Sequence, residues 1–440
     1  STSVQLKKAT LRSSRTATSI DITSVVLELS MYENLARPFI TGYLAVTDSE
    51  RLVENFDIQG AEEIEIIFKR STEKSSVKEI KQTWIIQNIE AEHNVQEFTN
   101  VVVFRLIDKE SFRSGLKNVN KCLQGQPWEI IDQILVEYLN RDDLRTSADL
   151  NNSETMKVII PNMTPIEATQ WIRNRSLNQN GYPFYFYKSA MTGEYFFADL
   201  ETLISSPVIN EKLPLSPNQS AGSSESKSTT STIYKMEQHA VDNLYKLIQS
   251  GIVGSQNRYY DVTRGDFEIV DFNVNNDLLV ELQGFNTRQE KPLLDGRLAF
   301  DDVAISNYQA KTISQISSAR VFNDMKSYDE AGDIGDNRKK IKSHAMRELM
   351  NKTPLSIMVE GDRWIHGDNH YGVGNNIKVL VRSKADDPDN PSVDRKQSGD
   401  YLIITAKYVL DMTQGKVGAT FKCAKFGNYQ NDAYNVGGGI

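Results

Sequence analysis

Between Ile20 and Arg113 the chain repeats one pattern: short runs of β-branched and aromatic side chains broken by polar turns. The runs are ITSVVLELSMY, PFITGYLAVTD, EEIEIIFKR, KQTWIIQNIEAE and NVVVFRLID. Such residues suit a pleated, half-buried surface, and partial alternation sends every second side chain to one face. Five runs in succession predict an antiparallel sandwich or small barrel. In EEIEIIFKR, Ile64, Ile66 and Phe68 share one face while Glu63, Glu65 and Ile67 take the other. One side therefore packs inward and the other meets solvent or a partner.

This β unit is a fraction of the chain. With 440 residues, several folding units are required, and the usual domain size predicts about three. Hydrophobic residues make up 39% and charged residues 25%, an ordinary globular balance that excludes the disordered class. The longest apolar runs, such as Val101 to Phe104, fall far short of the ~20 residues that span a bilayer. The first residues, STSVQLKKATLRSSRT, are basic without an apolar segment behind them, so they read as a mature start after methionine removal and not a secretory signal. Cys122 and Cys423 stand far apart, which offers neither a disulfide framework nor metal-ligand spacing and fits synthesis in a reducing cytoplasm. A formal charge of -8 argues against wrapping nucleic acid, because neutralising phosphates needs a basic face. The one dense basic run, Arg338 to Lys342, leads into the helix-like KSHAMRELMN and reads as a solvated surface.

Beyond Gly125 the period changes. In QPWEIIDQILVEYL, Pro127 suits a first helical turn, and Ile131, Ile134, Leu135 and Tyr138 recur at helical spacing. In TPIEATQWIRNR, Thr164 and Glu167 have capping-box spacing with Pro165 at the first helical position, and Ala168, Trp171, Ile172 and Arg175 form a stripe. Two strands, YPFYFYK and EYFFADLETLI, follow across a turn at Met191 to Gly193. Ser216 to Thr232 has almost no side chain able to bury area and predicts a flexible loop. Met236, Ala240, Leu244, Leu247 and Ile248 then predict a helix ending before Gly251, and RYYDV, DFEIVDFNV and LLVELQGF predict strands. Asp324 to Asp336 is a surface loop by composition. The last β unit comprises PLSIMVEG, NIKVLVRS, YLIITAKYVLDM and GATFKCAKF, and the tail NVGGGI is expected to be mobile.

Motifs that carry chemistry are scarce. His366 and His370 lie in WIHGDNHYGVG, where Gly367, Gly372 and Gly374 make a turn of what would have to be a helix to chelate zinc, so they read as loop histidines. His93, His239 and His344 stand alone. GVGNN at Gly372 lacks the strand-to-helix setting of a phosphate cradle, and no nucleophile elbow, CxxC pair or EF-hand loop occurs. Asp386, Asp387 and Asp389 lack the glycine and closing glutamate of a calcium loop and read as a solvated segment. Asn162-Met163-Thr164 is a chance glycosylation triplet in a chain without a signal. Tyr182, Phe184, Tyr185, Phe186 and Tyr187 could stack sugars, but strand alternation favours a half-buried core with Phe184 and Phe186 on one face and Tyr185 and Tyr187 on the other. No catalytic residue, cofactor or metal ligand is assigned.

Three stretches together carry a resemblance. They are NMTPIEATQWIRNRS with the aromatic strand and GEYFFADLETLI after it, the closing IMVEGDRWIHGDNHYGVGNNIKVLV with SGDYLIITAKYVLDM, and the opening LELSMYENLARPFITGYLAVTDSERL. In this order they resemble the central hub proteins of contractile-tail baseplates in the T-even-type family, with related units in type VI secretion spikes. The Ser-rich loop and the glycine tail depart from that family's pattern.

The resemblance implies a mainly β chain with α+β parts: two similar antiparallel β-barrel or sandwich tube domains flanking α/β insert domains. The expected division is residues 1–114 for the first tube domain, 115–215 for an α/β hub domain and 216–232 for the flexible loop. Residues 233–354 would form an α+β hub domain, 355–426 the second tube domain and 427–440 the tail. Such a protein is a structural part of the virion, made in the host cytoplasm and placed in the tail baseplate. Its implied partners are two further copies in a homotrimer, the central spike, the tail tube or its initiator, and neighbouring baseplate proteins, with DNA as passing cargo. Two other classes remain open. A cell-wall hydrolase predicts carboxylates converging in a cleft, and a carbohydrate-binding adhesin predicts an exposed aromatic platform.

Overall fold

The computed structural model describes residues 3–71, 77–96, 99–147, 155–217, 232–238, 243–261, 265–280, 291–292, 294–295, 297–316, 334–384 and 392–428. The Ser-rich segment between 218 and 231, residues 317–333, the aspartates at 386, 387 and 389, His239 and the tail from 429 lie outside them. No described helix is long and apolar enough to cross a membrane.

Seven strands build the first β unit: β1 (Val4–Ser13), β2 (Thr18–Asp21), β3 (Val26–Asn34), β4 (Arg37–Asp48), β5 (Glu63–Arg70), β6 (Ile80–Gln96) and β7 (Thr99–Asp108). The five expected runs are all strands. On β5, Ile64, Ile66 and Phe68 are buried and Glu63, Glu65 and Ile67 half-exposed, as their alternation requires. β1 was missed from the sequence. Its buried Val4, Ala9 and Leu11 are interrupted by Lys7 and Lys8, and a bulge between Leu6 and Lys8 breaks the alternation.

Residues 109–217 form an α/β layer. Gln126 with Glu129 and Thr164 with Glu167 close capping boxes on the helices Pro127–Ile134 and Pro165–Asn174, each with proline in its first turn. β8 (Phe184–Lys188) and β9 (Tyr195–Asp199) are the aromatic hairpin. β9 ends at Asp199, whose side chain accepts from Thr202 N and starts the helix Leu200–Ser205, so EYFFADLETLI is a strand followed by a helix. The half-buried expectation for β8 is also corrected: every residue is buried. Phe184 and Phe186 pack into the core of the α/β layer, while Tyr185 and Tyr187 pack into the large core shared with the β units. A strand between two cores has no wet face, and each buried side chain here contributes about 1.5–3 kcal/mol.

β10 (Thr232–Gln238) takes in Met236, which the sequence reading placed in a helix. That helix is shorter, Leu244–Ser250, and ends at a left-handed Gly251. β11 (Gly254–Asp261), β12 (Asp266–Asn273) and β13 (Lys311–Ile316) form a separate sheet, and Leu278 and Leu279 belong to a helical turn, Asn275–Leu279, not to a strand. Leu278 is buried from helical geometry, which a short apolar run cannot distinguish from a strand. The helix Ile334–Leu349 covers one face of this sheet, with Tyr259 Oη 3.5 Å from Asn337 O. Its basic run is not wholly solvated: Lys342 is 5% exposed and donates to Asn180 O at 2.6 Å, its ammonium 4.8 Å from the Tyr182 ring. A long lysine stem can be buried where its head finds a carbonyl and a ring face.

β14 (Leu355–Glu360), β15 (Asn376–Val379), β16 (Gly399–Asp411) and β17 (Lys416–Ala424) complete the chain. One thirteen-stranded sheet runs through both β units, in the order 216–217, β10, β14, β17, β16, β3, β4, β7, β6, β5, β1, β2, with β15 on β16. Among the described residues no barrel closes. Two stretches of this sheet repeat one connectivity. β5, β6, β7, β4 and β3 lie side by side in that order and all antiparallel, and so do β15, β16, β17, β14 and β10. Matched by chain order, the two sets have the same spatial order. They also share irregularities. Leu27 is the extra residue opposite β4, as Tyr234 is opposite β14. Gln87 is extra opposite β7, as Ile404 is opposite β17. Ile86 N donates to Glu62 O and accepts through its own carbonyl from Ala61 N, and Ile403 does the same with Asn375 and Gly374.

Candidate assembly interface

β3 of the first unit pairs with β16 of the second, from Asn34 opposite Thr405 to Glu28 opposite Asp411. This joint is pinned by Glu33, which is 2% exposed. Its Oε1 accepts from Ala190 N at 2.7 Å, and its Oε2 accepts from Val373 N at 3.2 Å and from Tyr408 Oη at 3.4 Å. One carboxylate thus ties together the first unit, the turn of the aromatic hairpin and the second unit. Burial pushes its carboxyl up, opposed by His370 and these hydrogen bonds. Gly372 is required here, since a Cβ would collide with Glu33 Oε2 and Tyr408 Oη. His370 belongs to the same packing: its Nε2 lies 2.6 Å from Val373 O and its ring 4.9 Å from Phe196.

A second buried cluster fixes the aromatic hairpin to β7. Lys188 Nζ lies 2.8 Å from Glu110 Oε2 and 3.4 Å from Asp108 Oδ2, and Arg141 Nη1 lies 3.0 Å from Glu110 Oε1. Asp108 accepts from Ile40 N and from Ser111 N, both at 2.7 Å, the latter capping the helix Lys109–Gly115. Burial pushes the Glu110 carboxyl up, but the charges of Lys188 and Arg141 outweigh it and hold the group at about 2. Acids and a lysine at this density could suggest catalysis. Each is instead neutralised by a partner, so the cluster is a clamp.

The remaining histidines do not converge. His366 Nδ1 accepts from Asp368 N and Asn369 N, while His93 and His344 are exposed on separate elements. Among the described residues no three His, Cys, Asp or Glu side chains gather as a metal ion would require. Tyr182, Phe184, Tyr185, Phe186 and Tyr187 are buried and present no stacking platform.

Two kinds of surface are left open. Among the described residues, β6 beyond Gln87 pairs only with β7, and Lys235 to Gln238 of β10 pair only with β14. The sheet of β11, β12 and β13 has one face under the helix Ile334–Leu349; the other presents Tyr260 beside Phe267 and Arg258 beside Ile269. Phe267 is 58%, Ile269 49% and Tyr260 46% exposed. A separate hairpin carries exposed Phe300 and Val303 across a tight turn at Asp301 and Asp302, both in left-handed conformation. Exposed Tyr260, Phe267 and Ile269 on one face of the sheet mark a surface built to be covered. Sequence reading could not find it, since the same strand pattern serves a covered face equally well.

No protein-family model matches the sequence, and no curated protein does. Solved structures do. The tail protein from Neisseria meningitidis MC58 aligns over 97% of this chain and 99% of its own, with a TM-score of 0.52 at 11% identity. The 43 kDa tail protein of prophage MuSo2 from Shewanella oneidensis aligns over 95% and 98%, with a TM-score of 0.51 at 9% identity. The chain has the fold of these tail proteins. A component of the E. coli type VI secretion system also aligns, over 94% of this chain and 77% of its own, with a TM-score of 0.41 at 10% identity. The tail-protein fold runs nearly end to end in the first two alignments, so neither β unit nor the inserts between them are foreign to it.

Proposed function

We propose that three copies of this chain close into a baseplate hub that joins a sixfold tail tube to a threefold spike and surrounds the path of the DNA. The reading rests on the internal joint. Each chain holds two five-strand sets of one connectivity, β3 to β7 within residues 1–114 and β14 to β17 within residues 355–426 completed by β10 from earlier in the chain, where β10 is the equivalent of β3. The first unit offers β3 to β16. Its equivalent is β10, offered to the equivalent of β16, which is β6, and both edges stand open. A chain cannot satisfy both ends itself, and a rotational ring of three chains presents six quasi-equivalent units with no edge unpaired.

The shared bulges give the register. Ser30 opposite Val409 in the internal joint corresponds to Glu237 opposite His93 of the next chain, and Leu29 opposite Leu410 to Met236 opposite Asn94. Apart from β10, the inserts at 115–215 and 233–354 are not duplicated and stay threefold, and the apolar face around Phe267 is suited to the spike. The reading assigns no catalytic role and places the protein in the tail of the virion. No observation favours a hydrolase, and burial of the aromatic strand removes the feature that favoured an adhesin.

The test uses Cys122→Ser with His93→Cys and Glu237→Cys. Oxidation of the complex with its spike is expected to give a covalently closed trimer, seen as threefold by mass measurement and imaging. A twofold particle, or three chains that touch only through residues 115–354, overturns the reading.

A further inference from the structure

A cavity of about 400 Å³ opens where the end of β5, residues 209–215 and the loop after β14 meet. Its chemistry is one-sided. Arg70 and Arg363 bring guanidinium groups to its wall. His366 lines it too, and because its Nδ1 accepts two backbone amides, the proton of the neutral ring sits on Nε2 as a donor. Trp364, 3% exposed, forms another part of the wall, and its indole Nε1–H finds no acceptor among the described residues. A buried donor left unpaired costs about 1–3 kcal/mol, which makes it a marker for a missing partner.

Acceptors on the protein are few. Asn210 also lines the space, but its side-chain carbonyl accepts from Lys378 N and its amide donates to Lys378 O. Asp362 stands behind Arg70, with Oδ2 3.2 Å from its Nη2, and is not part of the wall. Ile209, Leu215 and the Tyr371 ring, set edge-on to His366 at 5.4 Å, supply apolar and aromatic surface. Guanidinium, imidazole and indole donors over an apolar floor match an anion that carries a hydrophobic body.

We propose that this cavity is a binding site for a carboxylate attached to an aromatic or aliphatic group, either a free small acid or the end of a polypeptide. The site lies within one chain and does not rest on the hub reading. It is tested on the full chain with ¹⁵N-labelled tryptophan, the Trp364 indole signal being assigned by Trp364→Phe. Benzoate, N-acetylphenylalanine and the uncharged benzyl alcohol are the probes.

Both acids are expected to shift the Trp364 signal saturably, leaving those of Trp84, Trp128 and Trp171 in place. Benzyl alcohol is expected to bind about tenfold more weakly, and Arg363→Gln and Arg70→Gln each to weaken benzoate by about tenfold, the worth of one charge-assisted hydrogen bond. Tighter binding of N-acetylphenylalanine assigns the site to a chain terminus, and tighter binding of benzoate to a free acid. The absence of a saturable shift overturns the proposal, as does benzyl alcohol equalling benzoate or both arginine variants, folded by circular dichroism, keeping wild-type affinity.

Discussion

Glu33 shows what a single residue can hold. It sits inside a strand whose sequence, LELSMYEN, gives no sign that this one of its glutamates is buried while Glu28 is exposed. Its partners come from positions near 190, 373 and 408, distances no local pattern spans. With its carboxyl raised by burial, the folded chain binds that proton more tightly than the unfolded chain does, so ionisation works against folding. Its contribution is therefore present below the ordinary glutamate value of 4.5 and is lost as pH rises from there through the raised value. Glu33→Gln removes this dependence but turns an amide toward Val373 N–H, at a cost of about 1–3 kcal/mol at low pH. Chemical denaturation of both proteins across that range is expected to show the wild-type advantage shrinking as pH rises. A constant difference would place the charge elsewhere.

Among the elements, those with local signals were legible and those shaped by neighbours were not. The capping-box spacing at Thr164 and the proline at 127 are local signals, and both helices begin where they say. β8 was correctly a strand, but its second buried face depends on a core contributed by distant residues. The same distance governs Lys188, at the end of that strand. It alone of the five carries a charge into the interior, and it does so because Asp108 and Glu110 end β7 and begin the next helix beside it. Lys188→Met leaves buried Asp108 without its cation and Glu110 with Arg141 alone, and is expected to cost about 3–5 kcal/mol. Since the Glu110 carboxyl is held at about 2, the clamp's stability is present above the ordinary value of 4.5 and lost as pH falls toward 2. A denaturation series in acid is expected to show this loss in the wild type and a smaller one in the variant, where Arg141 still holds Glu110; equal acid sensitivity would mean that Lys188 carries no weight in the clamp.

For the whole molecule, the open face of the large sheet would line the path of the DNA in the proposed hub and is where that reading can be tested. It carries Arg105, Lys407 and Lys422 among Glu63, Glu65, Glu360 and Asp411, all wholly or partly exposed, so neither sign runs unbroken. Each phosphate contact holds a duplex by releasing counterions, and a passage for moving DNA should avoid a continuous basic stripe. The assembled trimer is therefore expected to retain no short duplex in fluorescence anisotropy at physiological salt, about 0.15 M. Saturable binding that weakens steeply with salt would contradict the channel reading. The order of β and α/β segments, both capped helices and the absence of a recognisable catalytic motif followed from the sequence alone, because period, capping and motif spacing are local. Tertiary structure decided that the two β units share one sheet, that they have two bulges in common, that Lys342 and the aromatic strand are buried, and that donors converge on one cavity. Each of these depends on which distant strand lies alongside, and a strand's own residues specify its pleat but not its neighbour.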